Sequence, residues 1–290
     1  MEHVANKIWK IDAGRPGPHL MVLGGVHGNE LTGIEVIKDL VAEFTAGTMK
    51  LSCGKLTLAL GNPAAIELGL RATEPHFDLN RSFVPGTIAH PGSYEHERAS
   101  ELAPFIAEAE VLVDLHATNK PSKPFVVATA VDATRMKLAA RYACDAFVVA
   151  PDAVIAGTTD GWITAHGGYG IGYESGLAGD VTKVRDVRTS VLRTMADLGM
   201  IAFGRGPSYR QDVVRIEEAV LLSGRVFEFA AGKGLASFEP FAKGQTLGFI
   251  DGKAVTTPFD GLLMFPKPAH LRVHGFPVAF FSRMESGPGK

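Results

Sequence analysis

From about residue 19 to 200, short continuous apolar runs alternate with longer stretches of helical spacing. The run HLMVLGG (19–25) predicts a buried strand, and Leu31–Phe44 a helix with Ile34, Ile37, Leu40 and Val41 on one face. KLTLAL (55–60) predicts a second strand. Ser93 caps a predicted helix that runs to about Ala109 and turns Ala99, Leu102 and Ile106 inward. VLVDL (111–115), PFVVATA (124–130) and AFVVA (146–150) are further strands, with a helix over Ala133–Tyr142 between the last two. YGIGY (169–173) is a glycine-rich strand, and Val181–Leu198 is a helix. This alternation predicts an α/β fold: a mixed, largely parallel sheet with helices on both faces.

After about residue 210 the texture changes. Short strand candidates (GRVFEF, QTLGFI, LLMF, FPVAFF) are separated by the turns Lys233-Gly234, Lys243-Gly244, Asp251-Gly252 and Asp260-Gly261. That spacing predicts a small, barrel-like all-β domain. With GRGPSYR (204–210) as linker, the expected division is a catalytic domain over 1–205 and a β domain over 210–290.

Composition narrows the function classes. The 290 residues are 46% hydrophobic and 21% charged, with 29 basic against 31 acidic side chains. A net charge of −2 leaves no basic surplus for nucleic acid, and no like-charge run marks a membrane surface or a tail. Cys53 and Cys144 lack a Cys-x-x-Cys partner, so a disulfide framework or a cysteine metal site is not expected. No apolar stretch reaches the roughly 20 residues that span a bilayer. The N-terminus lacks the apolar core of a signal peptide, so a cytoplasmic location is expected.

The chemistry gathers where strands end. HLMVLGG runs into Val26-His27-Gly28-Asn29-Glu30, VLVDL into His116, and YGIGY into Glu174. Open α/β sheets collect functional groups at the carboxyl ends of their strands. His27 and Glu30, three residues apart on the turn into the first helix, can converge on one ion with His116 from another strand. Two imidazoles and a carboxylate suit zinc and leave a fourth position for water. Glu174 is then the carboxylate that takes the water's proton. Asp114 shares a strand face with His116 and can orient it. Taken singly, each feature has a plainer reading: His-x-x-Glu arises by chance, Asp-x-His fits a satisfied polar pair, and a glutamate in a glycine-rich turn is usually solvated.

The residues also carry a family resemblance. Gly24-Gly25-Val26-His27-Gly28-Asn29-Glu30-Leu31-Thr32-Gly33 resembles the first metal motif of the succinylglutamate desuccinylase/aspartoacylase family, relatives of the zinc carboxypeptidases. The likeness continues through Gly61-Asn62-Pro63, Asp78-Leu79-Asn80-Arg81-Ser82-Phe83, Asp114-Leu115-His116 and Glu174-Ser175-Gly176, in the family's order across roughly residues 20–180. The downstream β segment is similar to the small domain that follows the catalytic domain there. The resemblance implies one zinc per chain on His27, Glu30 and His116, with Glu174 as general acid/base. It implies that Arg71 polarises the scissile carbonyl and that Asn80 and Arg81 hold a substrate carboxylate. The implied activity is hydrolysis of an amide in a small anionic N-acylated amino acid or related compound. A homo-oligomer is compatible with this reading. So is a zinc carboxypeptidase acting on peptides or cell-wall fragments, which uses the same metal centre, or a non-catalytic binding protein on the same fold.

The sequence departs from aspartoacylase at the specificity groups. Thr158–Tyr173 contains no arginine, and no tyrosine follows Tyr209, so N-acetylaspartate and N-succinylglutamate fit poorly as substrates. His166, Tyr169 and Tyr173 lie where a substitute could stand, although packing or a polar loop explains each. Trp162 reads as a loop anchor. His76, His90 and His96 read as solvated, His270 and His274 as turn or surface residues of the β domain, and Lys253 as a turn residue.

Overall fold

The computed structural model describes residues 1–74, 77–84, 87–88 and 91–285; His76 and His90 lie outside the described residues. The chain opens with β1 (Glu2–Ala5), β2 (Ile8–Asp12) and β3 (His19–Gly24), followed by α1 (Leu31–Ala46), β4 (Lys55–Leu60) and α2 (Pro63–Leu68). A short hairpin, β5 (Phe83–Val84) and β6 (Thr87–Ile88), leads to α3 (Tyr94–Glu108), β7 (Val111–Thr118), β8 (Phe125–Ala128) and α4 (Ala133–Ala139). Then come β9 (Ala146–Val149), α5 (Thr159–Ala165), β10 (Tyr169–Leu177) and α6 (Val184–Asp197). The remainder is β11 (Asp212–Leu221), β12 (Phe227–Phe229), β13 (Glu239–Phe241), β14 (Thr246–Ile250), β15 (Lys253–Thr256), β16 (Gly261–Met264) and β17 (Pro277–Met284).

Twelve strands form one mixed sheet in the order β1-β2-β4-β3-β7-β10-β8-β9-β11-β17-β16-β13. Its centre is parallel from β4 through β3 and β7 to β10. These strands read as near-continuous apolar runs because both of their faces are covered. In β3, Leu20 and Val22 pack with Ile34, Ile37 and Leu40 of α1. The alternate residues Met21 and Leu23 pack with Ala99, Leu102 and Ile106 of α3 and Ile163 of α5. Each fully buried side chain of this kind contributes about 1.5–3 kcal/mol on leaving water.

The same alternation decides where polar groups can go. In β7, Val111, Val113 and Leu115 join the α1 side, while Leu112 joins the α3 side. Asp114 and His116 therefore point toward the α3 and α5 face, beyond Leu112. In β10, Ile171 and Tyr173 join the α1 side, which sends Gly172 and Glu174 to the face of His116. Parallel register sets Glu174 directly beside His116, and a register shift follows between Glu174 and Leu177. Bulges of this kind re-aim side chains at functional sites.

Helix ends follow local chemistry. Ser93 accepts the His96 amide to start α3, and Thr158 accepts the Gly161 amide to start α5. Asn62 caps α2 ahead of Pro63. The turn from β3 into α1 lies flat on α2. A Cβ at Gly28 would stand 2.1 Å from the Ala65 carbonyl carbon, so only glycine lets His27 sit so close to that helix.

The C-terminal strands extend the central sheet. β11 pairs in parallel with β9, and β17, β16 and β13 continue antiparallel beyond it. β12, β14 and β15 form a separate three-stranded antiparallel sheet over an apolar cluster that includes Phe227, Phe241, Leu247 and Phe281. The segment 202–211, which spans the expected boundary, has no regular secondary structure. Lys253 opens β15 after the Asp251-Gly252 turn. Among the described residues, no helix is long and apolar enough to cross a membrane.

Candidate metal centre and cleft

A cavity of about 680 Å³ opens at the carboxyl ends of the central strands. His27 comes from the turn after β3, Glu30 from the residue before α1, and His116 from within β7. All three are buried, at 3%, 1% and 4% exposure. Glu30 Oε1 lies 2.7 Å from His27 Nδ1, and its Oε2 lies 3.0 Å from His116 Nδ1. One ligand atom from each residue falls within 4.8 Å of the others. The Ala117 amide also donates to Glu30 Oε2 at 3.0 Å.

Both imidazoles are backed by a carboxylate on their far side. His27 Nε2 lies 2.9 Å from Asp78 Oδ1, and His116 Nε2 lies 2.9 Å from Asp114 Oδ2. Thr159 Oγ1 donates to that same Asp114 oxygen at 2.6 Å. Such partners place the proton on Nε2 and turn the Nδ1 lone pair toward Glu30. Two imidazole lone pairs and a carboxylate then face one point, an arrangement that needs a cation or protons between them. Two imidazoles and a carboxylate form a donor set that could hold a metal ion.

Electrostatics describe the same cluster. Burial opposes the charge on Glu30, but without a metal the facing His27 and His116 rings, when protonated, outweigh it and hold the carboxyl well below its usual range. Burial likewise opposes the charge on Asp78, and Arg71 and His27 overcome it. Arg71 Nη2 donates to Asp78 Oδ2 at 2.8 Å, and its Nη1 to Glu30 Oε1 at 3.3 Å. Asp78 thus joins a guanidinium to a buried imidazole.

Glu174 is different. It is 8% exposed, and its Oε2 has no hydrogen-bond partner among the described residues. Burial pushes its pKa up to about 7, against the pull of His116. A buried carboxylate oxygen without a partner, beside a candidate metal centre, is free to exchange a proton.

The remaining expected site residues separate here. Asn80 spends its Oδ1 on the Thr159 amide at 3.0 Å and places its Nδ2 3.4 Å from His116 Nε2. Arg81 lines the cavity and gives Nη1 to the Asn80 carbonyl at 2.5 Å. His166, Tyr169, Tyr173 and Trp162 do not line the cavity. Trp162 Nε1 donates to the Ala103 carbonyl, which anchors α5 to α3. His166 is the C-cap of α5 with its ring nitrogen on the Trp162 carbonyl. Tyr173 packs against Tyr142 on the opposite sheet face.

One expectation needs correction. His116 and Glu174 do not follow their strands but lie inside them, because β7 and β10 stay paired as far as Thr118 and Leu177. His270 is exposed on a 3₁₀ turn at Ala269–Leu271, the turn and surface position expected of it, and it also sits at the cavity rim. Sequence reasoning passed over Asp78, Thr159 and Lys267. Asp78 was signalled by its place beside Asn80 and Arg81. Lys267, a single lysine between two prolines, carried no signal.

Comparison with known proteins bears on this geometry. The profile of the succinylglutamate desuccinylase/aspartoacylase catalytic domain matches residues 16–196, well over half of the chain. The chain belongs to this family. It is 37% identical over 105 residues to the "Probable aspartoacylase" of Nostoc sp., covering 34% of each chain. It is 40% identical over 83 residues to the succinylglutamate desuccinylase of Burkholderia orbicola, covering 29% of this chain and 23% of that one. These matches thus span only about a quarter to a third of the curated relatives' length. The fold is shared more widely. The crystal structure of the succinylglutamate desuccinylase from Vibrio cholerae superimposes with a TM-score of 0.79 at 17% identity, covering 96% of this chain and 85% of that one. The family's α/β architecture with a mixed sheet is therefore this chain's architecture.

Proposed function

We propose that the chain is a zinc-dependent deacylase that hydrolyses the amide bond of a small N-acylated amino acid or related compound. The observation that carries this reading is the convergence of His27 Nδ1, His116 Nδ1 and the Glu30 carboxylate, with unpartnered Glu174 on the neighbouring strand. Zinc bound there would polarise the scissile carbonyl and lower the pKa of a water to about 7. Asp78 and Asp114 hold the two imidazoles in the ligating tautomer. Glu174 takes a proton from the attacking water at Oε2 and delivers it to the leaving nitrogen. Arg71, fixed by Asp78 and Glu30, presents a guanidinium to the carbonyl oxygen as negative charge develops. Arg81, with the Asn80 amide, grips an anionic group of the substrate.

The shape of the cleft favours a small substrate over a peptide. Ser237, Phe265, Pro266 and Phe280 of the C-terminal β segment line the same cavity as the candidate ligands. We read that segment, residues 210–290, as a β domain that covers the cleft. The absence of an arginine in Thr158–Tyr173 argues against N-acetylaspartate and N-succinylglutamate as substrates. The test is a screen of zinc-loaded protein against N-acetyl, N-succinyl and N-formyl amino acids alongside short peptides. Turnover of N-acyl amino acids but not of peptides is expected. Peptide turnover alone would assign a carboxypeptidase, and stoichiometric zinc with no turnover a binding protein.

A further inference from the structure

We propose that Lys267 is a specificity residue of this cleft that works with Arg81 to bind a carboxylate of the substrate. The proposal rests on the deacylase reading above and adds that the substrate carries a free carboxylate. Lys267 follows β16 in the sequence Phe265-Pro266-Lys267-Pro268, and it lines the cavity. Its backbone is held on both sides. Its amide donates to the Val278 carbonyl of β17 at 2.8 Å, and two prolines limit the flanking torsions. Its position in the cleft is therefore set by the sheet rather than by a loose loop.

The charge balance of the cleft points to a ligand for it. Arg71 is committed to Asp78 and Glu30. Glu30 and Asp78 are in turn committed to the imidazoles. Among the described residues Arg81 makes one side-chain hydrogen bond, to the Asn80 carbonyl, and no carboxylate forms an ion pair with Arg81 or Lys267. Two half-buried cations, brought from separate parts of the chain, thus face one cavity with donors unspent. Burial pulls the Lys267 pKa down to about 8; the positive charges of Arg71 and Arg81 add to this, and the Asp78 carboxylate opposes it only in part. An incoming carboxylate relieves that repulsion, which is why an anion rather than a neutral group is the expected occupant. A guanidinium and an ammonium on one carboxylate also divide the work well: the fork sets orientation, and the flexible lysine follows the charge.

Calorimetric titration of zinc-loaded Glu174→Gln protein tests this without turnover. The probes are a panel of N-acetyl amino acids and their α-carboxamides, and the comparison is the same protein carrying Lys267→Met. The carboxylates are expected to bind at least about tenfold more weakly to the Lys267→Met protein, the carboxamides equally, and Lys267→Arg to restore most of the loss. Equal carboxylate affinity in both proteins overturns the proposal, as does a parent protein that binds none of the carboxylates. In the otherwise wild-type enzyme, Lys267→Met should raise KM with kcat nearly unchanged. If wild-type protein hydrolyses nothing while Lys267→Met still loses the carboxylates, the lysine's role stands and the deacylase reading falls.

Discussion

Asp78 Oδ1 stands 2.9 Å from His27 Nε2, on the side of the imidazole turned away from Glu30. Its other oxygen holds Arg71 at 2.8 Å. One carboxylate therefore orients a candidate metal ligand and a candidate carbonyl-polarising group. Asp78→Ala is predicted to weaken zinc binding by about 10–100-fold and to lower kcat as well. Chelator competition reads the first effect and steady-state kinetics the second. Unchanged zinc affinity would mean that Asp78 serves Arg71 alone.

Glu174 must be ionised to accept a proton. Burial lifts its pKa to about 7 against the pull of His116, and a cation between the imidazoles draws it down from there. kcat/KM is thus predicted to fall on the acid side, with an inflection at or below about pH 7. Glu174→Gln should retain stoichiometric zinc while losing about 10²–10⁴-fold in kcat. A pH–rate profile flat through the acid range, or full activity in the glutamine variant, would remove Glu174 from the mechanism.

Asp160, next to Thr159 in the wall of the same cavity, offers a test by stability rather than by turnover. Its Oδ2 accepts the Thr129 amide at 2.6 Å, its Oδ1 has no hydrogen-bond partner among the described residues, and burial raises its pKa to about 6. A carboxyl whose folded pKa exceeds its unfolded value binds its proton more tightly in the native state. Stability therefore rises as pH falls from about 6 toward the unfolded value near 4, and the ionised form is destabilising above that window. Asp160→Asn is predicted to be more stable than the parent at pH 8, by up to about 3 kcal/mol, and to match it near pH 4. Urea unfolding at the two pH values measures this. A variant weaker at both would show that the carboxylate charge itself is needed, for instance by Arg135.

Much of the fold was legible because buried strands leave an unmistakable mark. The runs at 19–25, 55–60, 111–115 and 146–150 are apolar on both faces, and each became a strand of the central sheet. The Ser93 cap of α3 was equally readable from its side-chain chemistry. Short edge elements were not. β1 and β2 are half exposed and carry no clear period, and α5, over TDGWITA, is too short to show one. Continuation of the sheet into the C-terminal strands was hidden for another reason: β11 pairs with β9 across some sixty residues of chain, a contact no local pattern encodes.

At the site, strand-end histidines and glutamates stood out by residue type, so His27, Glu30, His116 and Glu174 could be named together. Their carboxylate supports could be read only in part. Asp114 shared a strand face with His116, whereas Asp78 reaches His27 through a fold that brings residues 51 positions apart into contact.

Anomalous diffraction at the zinc edge, on crystals of zinc-loaded protein, tests the central claim most directly. One peak per chain is predicted, bounded by His27 Nδ1, His116 Nδ1 and the Glu30 carboxylate at about 2.0–2.2 Å. A map with no peak among these three residues, or with its strongest peak elsewhere, would contradict it.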